Sequence, residues 1–425
     1  MTVIREWIDA AAAREPDATY LEEARGTDQL SYASLQRSAR TWALHLDRAG
    51  IPPGARVAIR LPEPVGYAGA LVAILGAGRV VVPLDPAAPP AALAGMLEVA
   101  RPVAVVAQSS SGLPPGLPVL RPPKPGEADK PHAAHEANEP HALHEPDETG
   151  RALPAGGIFL CTSGTTGAPK GVLLREEQLG HVAACVAMHH RLTPADRGYC
   201  CLPLFHINAE VVGLLATLAA RACLVLDRAF SRRGFWAMIE EQQVTWINAV
   251  PAIITILAME PPAVPPPGRV RFVRSASAPL PPSALRRFEE AFGIPVLETY
   301  GMTEAASMIT ANPLDGPRKP GSAGRPAGAE VRIVERTGDG YQPCPPGTVG
   351  RVQIRGSGVI TGYAAGGPAG AVGADGWLDT GDLGSLDDDG YLCLAGRGDD
   401  IIKRSPGRSP VRQPRWRSKG RNVRS

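Results

Sequence analysis

Thr162-Ser163-Gly164-Thr165-Thr166-Gly167-Ala168-Pro169-Lys170-Gly171 directly follows the apolar run Gly157-Ile-Phe-Leu-Cys161. The run reads as a buried strand, and the ten residues after it read as a loop. Glycines let backbone N–H groups converge on an anion, the hydroxyls donate to phosphate oxygens, and Lys170 adds a mobile positive charge. A Walker loop requires G-x-x-x-x-G-K-[ST], which this stretch does not supply. Pro169 precedes the lysine and Gly171 follows it, so the helix N-terminus of a P-loop is not set up here. A Ser/Thr/Gly surface turn would account for the glycines and threonines, but not for Pro-Lys-Gly appended in that order.

Working outward, helix-like and strand-like segments alternate. Ser31 opens an amphipathic stretch through Leu46, Arg56–Leu61 looks like a strand, Pro64–Leu75 a helix, Arg79–Pro83 a strand, Ala91–Val99 a helix and Pro102–Ala107 a strand. Beyond the loop, strands fit 223–226, 246–250 and 271–274, and helices fit 176–190, 233–243 and 282–292. Short, continuously apolar runs between helices indicate parallel sheets covered on both faces. Past Gly321 the segments 329–334, 350–355 and 390–394 alternate and are punctuated by glycine, as in antiparallel strands with one wet face. The expected fold class is α/β: two layered, mostly parallel α/β parts (1–107 and 155–320) plus a smaller β-rich, barrel-like part (321–396). The Pro/Glu/His-rich stretch 108–154 reads as a linker or insertion. Its histidines His132, His135, His141 and His144 read as solvated rather than metal-binding, because such low-complexity stretches lack the rigid backbone a site requires.

Composition narrows the class further. With 44% hydrophobic and 20% charged residues and a net charge of +2, the chain reads as globular and gives no global electrostatic case for nucleic acid. Seven cysteines, an odd number without a C-x-x-C pair, support neither a zinc site nor a disulfide framework, so a reducing cytoplasm is expected. Residues 1–16 lack the apolar core of a signal peptide. The two longest apolar stretches carry charges and glycines (Arg79 in 65–84, Glu210 and Arg221 in 209–226), so each reads as a helix followed by a buried strand rather than a membrane span.

Further motifs follow in a fixed order: Gly78-Arg-Val-Val-Val-Pro-Leu-Asp-Pro86, Leu202-Pro-Leu-Phe-His-Ile-Asn-Ala209, Ser275-Ala-Ser-Ala-Pro-Leu280, Tyr300-Gly-Met-Thr-Glu304, Gly376-Trp-Leu-Asp-Thr-Gly-Asp382 and Gly396-Arg-Gly-Asp-Asp-Ile-Ile-Lys403. Together with 162–171 they resemble the adenylate-forming (AMP-binding) superfamily, in the branch of acyl-CoA synthetases, across roughly residues 30–405. The resemblance implies that a carboxylate attacks the α-phosphorus of ATP and that the acyl group then passes to coenzyme A. It implies that Thr162, Ser163, Gly164, Thr165, Thr166 and Gly167 hold the β- and γ-phosphates, with Lys170 following the departing pyrophosphate. Glu304 would hold Mg²⁺, which suits a single carboxylate because the ion bridges phosphate oxygens and keeps several waters. Thr303 would donate to the α-phosphate. Tyr300, Gly301, Met302, Ser277, Ala278 and Pro279 would surround adenine, Asp382 and Arg397 would take the ribose, and Asp399 would be the hinge (397–405).

His206 stands in the aromatic-histidine motif, beside the implied acyl tunnel. Amino-acid-activating members place an aspartate directly after the Phe, to pair with the substrate ammonium. The histidine here argues for an acid without an α-amine, and hence for a CoA ligase. The resemblance gives His206, Asn208, Val250, Ser275, Ala276 and Ser277 as the pocket wall. Lys170, Thr303, Glu304 and His206 are the expected catalytic groups. A stand-alone enzyme loading a carrier protein and a nonenzymatic nucleotide binder are the alternatives. Family members continue past the hinge into a small α+β lid that bears a lysine. After Ser405 the pattern here gives way to 406–425, part of a stretch from Ile401 to Ser425 with nine Lys or Arg and no acid. A frameshift, which the Arg/Pro/Ser-rich composition favours, a natural truncation served by a separate protein, and a basic tail for an anionic partner each account for it. On any of the three, ATP is expected to bind while adenylation is impaired.

Overall fold

The computed structural model describes residues 2–122, 156–162, 170–259, 268–338, 340–368 and 370–398. Three sheets organise them. The largest has nine strands, in the order Arg325–Pro326, Ser307–Ala311, Val296–Met302, Phe272–Ser275, Trp246–Ala249, Arg197–Cys200, Cys223–Leu226, Thr19–Glu23 and Gln29–Ser31. Its middle six strands run parallel, while the outermost pairings at each end are antiparallel. A second sheet of six strands is parallel from Val119–Leu120 to Gly157–Thr162 and closes with the antiparallel strand Lys170–Arg175. The third is an antiparallel sheet of five strands within 330–397.

The strands Cys223–Leu226, Trp246–Ala249 and Phe272–Ser275 are buried at every residue. That is why they read as unbroken rather than alternating: helices cover both faces of a parallel sheet. Helix starts follow local chemistry. The Ser31 side chain accepts the Ser34 N–H ahead of helix Tyr32–Arg48, and prolines begin Pro64–Gly76, Pro90–Ala100 and Pro282–Phe292, where a missing N–H costs nothing. The segment 209–226 is a helix followed by a strand, as expected, but its first part is a π-helix, Asn208–Leu215, that runs into Ala216–Ala219. Such i→i+5 turns recur at functional sites.

The two parallel sheets do not divide at 108–154. The strand Thr19–Glu23 crosses to pair with Cys223–Leu226, and Gly157–Thr162 returns to pair with Val80–Pro83. Strand pairing between segments about 200 residues apart leaves no local periodicity, so the sequence reading placed these strands in sequential parts. The largest apolar core joins residues of all three sheets, and two smaller ones lie apart from it. Ile8, Leu35 and Leu71 from the N-terminal helices meet Leu224, Trp246 and Phe272 of the nine-stranded sheet and Val352 and Ile354 of the five-stranded one.

Helix Val3–Arg14 is docked by a buried acid. Glu176 Oε1 accepts the Ile4 N–H at 2.7 Å, while its Oε2 is buried without a partner. Burial pushes the Glu176 pKa up to about 7, the Ile4 bond and the Thr2 hydroxyl opposing. A carboxyl whose pKa is raised on folding contributes stability that is complete below its unfolded value, near 4.5, and lost as pH rises through about 7. Glu176→Gln, which does not titrate, is therefore expected to match the wild type at pH 5 and to be more stable at pH 8. The gain should be roughly 1–3 kcal/mol, seen as a melting temperature higher by about 2 °C or more. Equal differences between variant and wild type at both pH values would refute this account.

Candidate active site

The strand Val296–Met302 leaves the large sheet and passes into a single 3-10 turn, Thr303–Ala305. Its neighbour, Ser307–Ala311, approaches so closely at a register shift that a Cβ on Gly301 would lie 1.4 Å from the Ser307 carbonyl oxygen. Only glycine fits there, and the bulge turns Thr303 and Glu304 toward the cleft. Glu304 is 8% exposed, and the Tyr363 hydroxyl donates to its Oε1 at 2.8 Å. Tyr363 is brought there by the backbone. Gly171 N–H donates to the Ala365 carbonyl at 2.8 Å and Ala364 N–H to the Gly171 carbonyl at 2.9 Å. The same pairing sets Lys170 Nζ 5.5 Å from the Tyr363 ring centroid. Burial, and then the Glu304 charge, push the Tyr363 phenol well above its usual pKa, so it stays a donor.

A second constellation comes from register alone. In the five-stranded sheet Asp382 on Leu378–Leu386 lies directly opposite Arg397 on Leu392–Arg397. Arg397 Nε sits 3.0 Å from Asp382 Oδ1, and the Tyr300 hydroxyl donates to Oδ2 at 2.5 Å. The Tyr300 phenol, buried and beside this carboxylate, is likewise held far above its usual pKa. Both carboxylate oxygens are thus presented by groups from two different sheets.

These pieces meet around one cavity of about 1360 Å³. Its lining includes Lys170, Gly301, Met302, Thr303, Glu304 and Arg397, together with His206, Asn208, Val250, Ala276 and Ser277. Tyr300 and Asp382 are not in the lining but reach it through Arg397. Three expected residues lie elsewhere: Ser275 is buried with its hydroxyl unpartnered, and Ala278 and Pro279 are solvent-exposed and outside the cavity wall. Ser277 holds a left-handed φ of 73°, the conformation that glycine would take without strain. His206 keeps much of its ring accessible, yet partial burial lowers its pKa below the usual value, with Asp85 opposing. Thr162 ends its strand opposite Lys170. Ser163, Gly164, Thr165, Thr166 and Gly167, the hinge residue Asp399 and the four histidines of 132–144 lie outside the described residues.

The lining contains two carboxylates, Glu304 and Asp379, and Asp379 is paired with Arg351 Nε at 2.6 Å. Among the described residues no group of three or more His, Cys, Asp or Glu side chains is placed to hold a metal. Glu304 is held by the Tyr363 phenol rather than by a cation. Sequence reasoning missed Tyr363, Arg274 and Asn248. For Tyr363 no local spacing signalled a role, because its partner Glu304 is 59 residues away. Arg274 did carry a signal, a cation inside a short strand that is buried at every residue.

Lys170, Glu304 held by Tyr363, and the Tyr300–Asp382–Arg397 cluster thus gather at or beside one cavity, and the proteins this chain is similar to are adenylate-forming enzymes of the acid–CoA ligase type. The chain belongs to the AMP-binding enzyme family, whose model matches residues 8–364. It is 38% identical over 427 residues to sulfoacetate–CoA ligase of Cupriavidus necator, covering 93% of this chain and 78% of that one. It is 43% identical over 258 residues to oxalate–CoA ligase of Arabidopsis thaliana, covering 59% of this chain and 49% of that one. Among solved structures, ATP-bound MatB from Rhodopseudomonas palustris superposes with a TM-score of 0.80 at 29% identity, over 95% of this chain and 80% of that one. The class uses ATP, Mg²⁺ and coenzyme A. Among the described residues no helix is long and apolar enough to cross a membrane.

Proposed function

We propose that this chain activates a short carboxylic acid without an α-amine, forming acyl-adenylate and pyrophosphate from ATP and then passing the acyl group to coenzyme A. The observation that carries this reading is that one cavity is lined both by Lys170, Thr303 and Glu304 and by His206, Asn208 and Ser277. Two anions, the acid and the triphosphate, have to be brought together there, and the charge that develops on the leaving pyrophosphate has to be neutralised.

Asp382 accepts the ribose hydroxyls, with Arg397 and Tyr300 holding its two oxygens in place. Tyr300 also offers a ring face to adenine, beside Gly301, Met302 and Ser277. Thr303 donates to the α-phosphate. Lys170 and the hydroxyls of 162–166 hold the β- and γ-phosphates, and Lys170 stays with the pyrophosphate as it departs. Glu304 fits Mg²⁺ as its one protein carboxylate, the phosphates and water supplying the other oxygens, and the ion would supply charge neutralisation on the phosphates. Tyr363 fixes the Glu304 carboxylate by donating to Oε1. His206, neutral at physiological pH, can donate from one ring nitrogen to the incoming carboxylate.

The relatives named above are CoA ligases, which favours coenzyme A over a carrier protein as acceptor. Two of them are named for acids with two anionic groups, which sets the acids to try first. With ATP, Mg²⁺, coenzyme A and a panel of short acids, the chain is expected to release AMP and pyrophosphate in an acid-dependent way. ADP and phosphate as products, or nucleotide release indifferent to the acid, would sink the reading.

A further inference from the structure

Arg274 is 1% exposed, on the strand Phe272–Ser275, and it belongs to the cavity lining. Its Nη1 donates to Asn208 Oδ1 at 2.8 Å and to Asn248 Oδ1 at 3.2 Å, and its Nε is buried with no partner. Asn248 also donates to Asn208 at 3.3 Å, and Asn208 reaches Ser277 Oγ at 3.5 Å. Every acceptor in this network is neutral, and among the described residues no Asp or Glu forms an ion pair with Arg274. Burial pushes its pKa down to about 9, so it remains charged at physiological pH. The nearby Cys200 thiol, pushed up to about 12 by its own burial, provides no counter-charge. Its charge is felt by its neighbours, since after burial it is the next cause of the lowered pKa of both His189 and His190.

A buried guanidinium without a counterion is costly, and an apolar side chain of similar volume would hold these strands at lower electrostatic cost. A ligand with one carboxylate, consumed in the reaction near His206, would leave that charge uncompensated. A ligand with a second anionic group would neutralise it in a site sheltered from water. The two positions are close: Asn208, which holds Arg274, starts the helical turn whose first carbonyl is that of His206. We infer that Arg274, held by Asn208 and Asn248, is the specificity residue of this pocket and selects short acids bearing a second anionic group, a carboxylate or a sulfonate. The inference rests on the ligase reading for the identity of the site, and deepens it by naming the substrate class.

The test uses acid pairs of nearly one shape that differ in charge: oxalate and oxamate, malonate and malonamate, succinate and succinamate. Binding of each to the full chain is measured calorimetrically with α,β-methylene-ATP and Mg²⁺ present, and acid-dependent AMP release is measured with ATP. At least one dianion is expected to bind about 100-fold more tightly than its monoamide, the scale of a lost partner in a buried charge pair. Arg274→Met should reduce that ratio to within about threefold, and Arg274→Lys should restore part of it, whereas a purely structural role would weaken both members of a pair equally. Monoamides binding as tightly as dianions in the wild type would overturn the inference, and so would an unchanged ratio in Arg274→Met. If Arg274→Met does not fold, the wild-type ratios and Arg274→Lys decide. Dianion-selective binding without AMP formation would support Arg274 while refuting the ligase reading. AMP release driven equally by both members of each pair would do the reverse.

Discussion

Glu304→Gln is expected to lower Mg²⁺-dependent AMP formation by about 1000-fold, equivalent to about 4 kcal/mol of transition-state stabilisation. The substitution keeps the volume and leaves the Tyr363 hydroxyl an amide oxygen to donate to, but removes the charge. The cavity lining holds only one other carboxylate, Asp379, and it is already paired with Arg351. No replacement ligand for the ion is therefore at hand among the described residues. ATP binding measured without Mg²⁺ should change little, while the increase in affinity that Mg²⁺ brings should disappear. Tyr363→Phe supplies the graded comparison, because it leaves the carboxylate but not its 2.8 Å donor, and a loss of about tenfold is expected. Mg²⁺ titrations of ATP binding and of pyrophosphate exchange check both. A Glu304→Gln protein that retained the full Mg²⁺ effect would remove Glu304 from the site.

Asp382→Ala is expected to weaken ATP binding by about 100-fold, the second largest effect. Hydrogen bonds to a charged acceptor are worth about 1.5–3 kcal/mol each, and the ribose diol can make two. Part of that is offset because Asp382 already bonds Tyr300 and Arg397. The diagnostic is a cycle with 2′-deoxy-ATP. The wild type should bind the deoxynucleotide markedly less well than ATP, whereas the variant should hardly distinguish them. Equal discrimination in both proteins, measured by calorimetry, would mean that Asp382 acts only through Arg397 and Tyr300.

Much of the fold was legible because its signals are local. Pro64 and Pro282 begin helices where the sequence placed them, the helix placed at Ala91 starts one residue earlier at Pro90, and the segments 223–226 and 246–249 became fully buried parallel strands. The candidate site was legible in part for a related reason: motif residues at short spacing, as in Gly301–Glu304, line one cavity. What stayed hidden was long-range. No periodicity announced that Thr19–Glu23 would join a strand about 200 residues further on. Ser275, Ala278 and Pro279 were assigned from a motif, but Ser275 is buried at the end of its strand and Ala278 and Pro279 are exposed beyond the left-handed Ser277, all three outside the cavity wall.

The Thr162–Gly171 stretch and the ordered motifs after it were enough on their own to point to the AMP-binding family and to an acid–CoA ligase, because such chemistry depends on residue type and local spacing. Only the tertiary structure decided which charges remain available in the cavity. Asp379 is neutralised across a strand pair by Arg351, Glu304 is left with a phenol, and Arg274 is buried among asparagines. Whether a charge is spent or available depends on which distant residue packs against it, and the order of residues along the chain does not carry that.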